Sequence, residues 1–285
     1  MLGRCRFPPA GSVVTCAVSG GADSLALLVL ATSAGCVVTA VHVDHGLRAG
    51  SDAEAAVVAA AADRYGAAFR AERVDVEAGP NVEARARAAR RRVLPSGVLT
   101  GHTADDLAET VLLNLVRGAG LDGLAGIRAG PGKPLLGLRR SETRALCRAE
   151  GLTPVEDPTN ADLSLRRNRV RHELLPLLDD LAERDVAAVL ARQAALLADD
   201  ADLLDALAAE LDPTDARALA AAPRPLARRA VRRWLVASGR DHERHPPDAA
   251  TVERVLAVAR GEAKACETGD GLGVARTGGR LYLRE

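Results

Sequence analysis

The stretch Val13-Val14-Thr15-Cys16-Ala17-Val18-Ser19-Gly20-Gly21-Ala22-Asp23-Ser24 decides the fold. Val13–Val18 is an apolar run bounded by glycines and predicts a buried strand, and Ser24–Ala34 then has helical composition. The turn between them carries the chemistry. Gly20 and Gly21 let the backbone fold tightly and approach a ligand. The N–H groups at the helix start, with the hydroxyls of Ser19 and Ser24, form an anion cradle. Asp23 repels a phosphate unless a divalent cation stands between them, so the pattern reads as a metal–polyphosphate site. It is neither a Walker loop, since no GK[ST] follows, nor GxGxxG. A glycine-bearing turn with a serine cap explains a lone SGG equally well. The complete SGGxDS in strand–turn–helix context favours the functional reading.

Outward from this turn, strands and helices alternate. Strands are predicted at Val37–Val43, Phe69–Val76 and Gly97–Thr100, with helices at Ser51–Tyr65, Val82–Val93 and Ala104–Val116. Repeats of this length imply right-handed crossovers and a mostly parallel sheet covered on both faces. The fold class is therefore α/β, a doubly wound Rossmann-like sheet whose ligands sit beyond the carboxyl ends of the strands. Gly118–Gly137 reads as a long glycine-rich loop. Further on come a long helix over Leu181–Leu211, shorter ones over Arg224–Ser238 and Ala249–Arg260, and a hairpin around Thr277-Gly278-Gly279. A boundary near residue 176 divides this α/β domain (1–176) from a smaller, mainly helical domain (177–285).

Composition narrows the classes. At 285 residues the chain can bury a core without metal or disulfide staples. Its aromatic fraction of 2% is too low for single-strand binding by base stacking. Acids and bases balance at 38 each, so net charge announces no polyanion partner. Five scattered cysteines contain no CxxC pair, which spells out neither a zinc ribbon nor an iron–sulfur site. No signal peptide or membrane span is evident, so a soluble, cytoplasmic protein is expected. The oligomeric state is not legible, and a homodimer stays open.

Other polar blocks follow the strands. His42-Val43-Asp44-His45-Gly46-Leu47-Arg48 borders the expected nucleotide pocket, where His42 and Asp44 approach adenine or ribose; polar caps of a strand are the plain alternative. Glu83 and Arg87 stand four apart on a helix and can pair, holding a guanidinium towards a phosphate. In Gly101-His102-Thr103-Ala104-Asp105-Asp106-Leu107-Ala108-Glu109-Thr110 the acids suit a helix N-terminus, yet the block exceeds what capping requires. Asp106 can join Asp23 on Mg²⁺ or orient an amine, and His102 can stabilise charge developing on a phosphate.

SGGxDS at this location resembles the PP-loop ATP-pyrophosphatase superfamily. With the later blocks in register, the sequence resembles the tRNA(Ile)-lysidine synthetases. The supporting elements are Arg117-Gly118-Ala119-Gly120, Lys133-Pro134-Leu135-Leu136, Glu156-Asp157-Pro158-Thr159-Asn160 and Arg167-Asn168-Arg169-Val170-Arg171. The match runs from about Val13 to Leu178. Leu107 stands where many members have Gln, Lys133 where they have Arg, and the length suggests a form without an additional C-terminal domain. The resemblance implies ATP and Mg²⁺ as cofactors, and L-lysine and an isoleucine tRNA with a CAU anticodon as partners. It implies that Ser19, Gly20, Gly21, Ala22, Asp23 and Ser24 hold ATP together with His42 and Asp44. Asp23 and Asp106 would support Mg²⁺ or the lysine amine, and Arg87 and His102 would stabilise charge during adenylation. Arg167, Arg169 and Arg171 would contact tRNA phosphates. The rivals are a tRNA thiolase of the same superfamily, a small-molecule amidating enzyme and a non-catalytic nucleotide sensor.

Overall fold

The computed structural model describes residues 1–44, 46, 51–74, 82–238, 247–269 and 271–284; the side chains at 51, 52, 82–84, 86, 87 and 91 lie outside that description. Two compact units are present, Met1–Ala198 and Asp199–Glu285.

In the first unit, β1 (Val13–Ala17), β2 (Val37–Asp44), β3 (Ala68–Arg73) and β4 (Leu99–Thr100) form a parallel sheet in the order β3-β2-β1-β4. Helices α1 (Ala22–Ser33), α2 (Ser51–Arg64) and α3 (Val82–Val93) are the crossovers, and α4 (Ala104–Val116) follows β4. The chain goes to one side of β1 for β2 and β3 and to the other for β4. The crevice of a doubly wound sheet therefore opens at the end of β1, where SGGADS stands. Helix α1 is apolar all round because it is covered all round: Ser24 through Ala31 are buried without a break. Its leucines pack on Val14, Cys16, Val38, Val58, Leu99, Leu135 and Leu138, which fixes where its N-terminus meets the sheet.

The long loop expected over Gly118–Gly137 contains a short helix, α5 (Leu121–Leu124), and leads to α6 (Arg140–Ala149). Gly126, at φ 62, is held so close to α4 that a Cβ there would lie 2.6 Å from Leu107 Cδ1. Leu107 is buried against Val111, Leu124, Ile127 and Ala194, so an aliphatic side chain suits the position. Residues Arg166–Arg169 form α7, a π-helical turn spans Val170–Leu174, and α8 covers Leu175–Ala182.

The single helix expected over Leu181–Leu211 is interrupted. Leu181 lies in the last turn of α8, which ends at Ala182; Glu183 turns left-handed at φ 48, and α9 runs from Val186 to Ala209. The Asp179 carboxylate accepts from Val186 N at 2.7 Å and Asp185 from Ala188 N at 3.0 Å, side-chain caps that an apolar periodicity does not display.

In the second unit, α10 (Ala216–Ala221), α11 (Arg224–Ala237) and α12 (Ala249–Arg260) share a core with an antiparallel sheet of order β5-β6-β7. Its strands are β5 (Ala265–Gly269), β6 (Leu272–Thr277) and β7 (Arg280–Arg284). The hairpin expected from the sequence is β6–β7. The additional strand β5 is short and breaks register between Glu267 and Gly269, which hides its alternation. Among the described residues no helix is long and apolar enough to cross a membrane.

Candidate active site

The turn after β1 is locked from within. Ser24 Oγ donates to Gly21 O at 2.8 Å and accepts from Ser19 N at 3.1 Å. Gly20 has φ 86, a conformation that favours glycine, and its carbonyl accepts from Val155 N at 3.0 Å. Gly21 caps α1, so the first N–H groups of that helix open at the turn. Gly101, after β4, is required by packing: a Cβ there would lie 2.6 Å from Asp23 O.

This turn borders a cleft of about 1160 Å³. The cleft unites Ser19, Gly21, Ala22, Asp23 and Ser24 with His42, His102, Asp106 and Arg171. Gly20 is not among the lining residues and packs against Val155. Asp44 Oδ1 accepts from Gly46 N at 2.9 Å, shaping the chain beyond β2. Arg167 and Arg169 do not line the cleft. The Glu83–Arg87 pair lies outside the described side chains, and nothing follows here for Arg87.

The centre of the charged network is Glu109, which sequence reasoning quoted without assigning a role. Its side chain is fully buried and binds three guanidiniums. Oε1 accepts from Arg140 Nη1 at 2.9 Å and Arg171 Nε at 2.8 Å; Oε2 accepts from Arg167 Nε at 2.7 Å and Arg171 Nη2 at 3.2 Å. Burial pushes the carboxyl up, but the hydrogen bond from Arg171 and the three positive charges hold it below the usual carboxylate range. The signal was present in the sequence: Glu109 stands three residues beyond Asp106 on one helix face, and Arg167 and Arg171 stand four apart. Arg140, the third partner, lies in no motif.

Asp106 is equally committed. Oδ1 accepts from Arg140 Nη2 and Arg167 Nη2, each at 2.9 Å, and Oδ2 from Thr103 N at 2.9 Å and Thr103 Oγ1 at 3.0 Å. Those four bonds use the acceptor positions of a carboxylate, so Asp106 does not fit the metal-ligand role expected of it. Asp105 grips Arg139 with both oxygens at 3.0 Å.

Asp23 differs. Thr143 Oγ1 donates to Oδ1, but among the described residues Oδ2 has only Arg140 Nε, at 3.4 Å. Burial raises its carboxyl above the usual value against the opposing effects of Thr143 and Arg140. A carboxylate that burial leaves short of positive charge, at the mouth of a phosphate-type turn, fits a divalent cation shared with a polyphosphate. No group of three or more His, Cys, Asp or Glu arranged to hold a metal occurs among the described residues.

His102 Nδ1 lies 2.8 Å from Thr100 Oγ1, which accepts from Lys133 Nζ at 2.6 Å. Lys133 thus acts within the site through the threonine. The downstream blocks staple each other: Asn168 Nδ2 donates to Thr159 O at 2.7 Å and Asp162 O at 2.9 Å, and Arg171 Nη1 to Asn160 Oδ1 at 3.3 Å. Arg167 and Arg171, expected on tRNA phosphates, spend donors inward on Glu109. Arg169 is exposed and pairs with Glu173 at 2.8 Å.

A phosphate-cradling turn at the switch point of a parallel sheet defines a nucleotide-using α/β protein. The family comparisons agree: a PP-loop domain model matches residues 7–178, and a TilS substrate binding domain model matches residues 215–282. The chain is 44% identical to the tRNA(Ile)-lysidine synthase of Nocardia farcinica, covering 98% of this chain and 94% of the relative. It is 43% identical to that of Mycobacterium tuberculosis, covering 78% and 74%. The chain belongs to the tRNA(Ile)-lysidine synthase family. Among solved structures, a U34-tRNA thiolase NcsA from Methanococcus maripaludis superposes with TM-score 0.53 over 66% of this chain and 73% of that one. At 18% identity this shows a shared fold only.

Proposed function

We propose that the protein joins L-lysine to C2 of the wobble cytidine of an isoleucine tRNA with a CAU anticodon, consuming ATP and releasing AMP and pyrophosphate. The cytosine C2 oxygen is a poor leaving group. Transfer of AMP to it gives an adenylated cytidine from which the lysine ε-amine displaces AMP. The observation that carries this reading is the convergence of the SGGADS turn, His102 and the Asp106–Glu109 arginine network on one cleft, in a chain similar to lysidine synthases over nearly its whole length.

In this reading Ser19, Gly21, Ala22 and Ser24 hold the phosphates. Asp23 holds Mg²⁺, whose charge offsets that of the polyphosphate. His102 faces the charge that develops on adenylation. Asp106 and Glu109 fix Arg140 and Arg171, which line the cleft, as a rigid positive wall. Contact with tRNA falls to the second unit and to exposed arginines such as Arg169. The reaction is placed in the cytoplasm, where tRNA, lysine and ATP meet.

The thiolase alternative needs a reactive thiol. Cys147 is the cysteine that lines the cleft, and burial pushes its thiol up to about 11, which keeps thiolate scarce at neutral pH. Incubation with ATP, labelled lysine and an isoleucine tRNA transcript bearing CAU should transfer label to the tRNA. ATP cleavage without lysine incorporation, where a known synthase works in parallel, would overturn the proposal.

A further inference from the structure

His42 lies near the end of β2, is 2% exposed and lines the cleft. Its Nδ1 stands 3.0 Å from Val18 O. A carbonyl oxygen only accepts, so Nδ1 carries the proton and Nε2 of the neutral ring is an acceptor. That Nε2 is buried and has no hydrogen-bond partner among the described residues. Holding the strand ends together requires only Nδ1, and an unmet buried polar atom is costly enough to need a reason. The place supplies one. The ladder between β1 and β2 ends at Ala17 and Val41, followed by one bond from Val18 N to Val41 O. Beyond it Val18 O engages the imidazole, so the ring sits where the strands stop pairing and the crevice begins.

The geometry points to His42 Nε2 as the acceptor for the 6-amino group of adenine, selecting ATP over 6-oxo purine nucleotides. The turn after β1 takes the phosphates, which puts the nucleoside beside the end of β2. Adenine presents an N–H donor at position 6; guanine presents an oxygen, which would face the Nε2 lone pair and leave both acceptors unsatisfied. The inference rests on the ATP reading of the cleft and deepens it.

The test is a set of dissociation constants for the full chain with ATP, purine riboside triphosphate (hydrogen at position 6), GTP and 2′-deoxy-ATP. His42→Asn keeps a donor close to the Nδ1 position for Val18 O and deletes Nε2; His42→Phe keeps the ring volume. The wild type should bind ATP roughly tenfold tighter than purine riboside triphosphate, the worth of one hydrogen bond. His42→Asn should lose that ratio by weakening ATP alone. Unchanged discrimination in both variants overturns the inference, as does a loss that follows the 2′-hydroxyl instead of the 6-amino group. If neither variant folds, a wild type that binds ATP and purine riboside triphosphate equally overturns it. A wild type that binds no ATP overturns the proposed function itself.

Discussion

The two units spend charge in opposite ways. In Met1–Ala198, Asp106 and Glu109 are withdrawn from water and matched by Arg140, Arg167 and Arg171. In Asp199–Glu285 the core is aliphatic, with Leu219, Val231, Val255 and Leu256 at its centre, and several ion pairs lie at the surface. There, Arg224 and Arg228 share Glu253, with the arginines 66% and 46% exposed. Removing one partner of a buried pair strands the other, whereas exposed pairs are worth roughly 0–1 kcal/mol. The inner network is therefore a device for holding guanidiniums at fixed positions, and the outer pairs are incidental.

The largest effect that would break this contrast is at Glu109. Glu109→Ala strips Arg171 of its carboxylate partner and leaves Arg140 and Arg167 sharing Asp106, and should cost about 3–5 kcal/mol, read by chemical denaturation, with loss of lysine incorporation. A cost below about 1 kcal/mol would show the cluster to be well solvated. In the second unit, Leu219→Ala removes buried aliphatic volume and should cost about 2–5 kcal/mol, with nucleotide binding to the first unit unchanged.

Asp23→Asn sharpens the comparison because its sign is opposite. The folded carboxyl is raised by burial, so its ionisation opposes folding once the pH exceeds the unfolded value. The variant should melt at a higher temperature near pH 7, the gain shrinking as the pH falls towards about 4, while lysidine formation drops at least about a hundredfold. For Asp105, Asp106 and Glu109 the folded values are lowered. Their contribution is complete above the ordinary carboxylate range and is lost below about pH 4, which Glu109→Gln should partly flatten in an acid titration. The smallest effect belongs to Arg228→Ala, expected to change stability by under about 0.5 kcal/mol and less still in high salt.

Much of the first unit was legible because each of its signals is local. The helices over Val82–Val93 and Ala104–Val116 were read to the residue from periodicity, and the SGGADS turn from its glycines and serines. Strand β4 shrank to Leu99–Thr100, and β5 was missed, because two to five residues with a bulge carry little alternation. The role of Arg140 was invisible for another reason. Its partners Asp23, Asp106 and Glu109 lie 31 or more positions away, and nothing in the residues around it marks the meeting.

The sequence by itself determined the parallel α/β class, the phosphate-type turn, the order of polar blocks after the strands and the family. These are encoded in neighbouring residues whose backbone preferences and periodicities act over a turn or a strand. Only the tertiary structure decided that Asp106 accepts from Arg140, Arg167 and Thr103, that Arg167 and Arg171 bind Glu109, and that His42 Nε2 has no partner among the described residues. Which donor meets which acceptor depends on where distant segments pack, and burial then makes each of those meetings costly to leave incomplete.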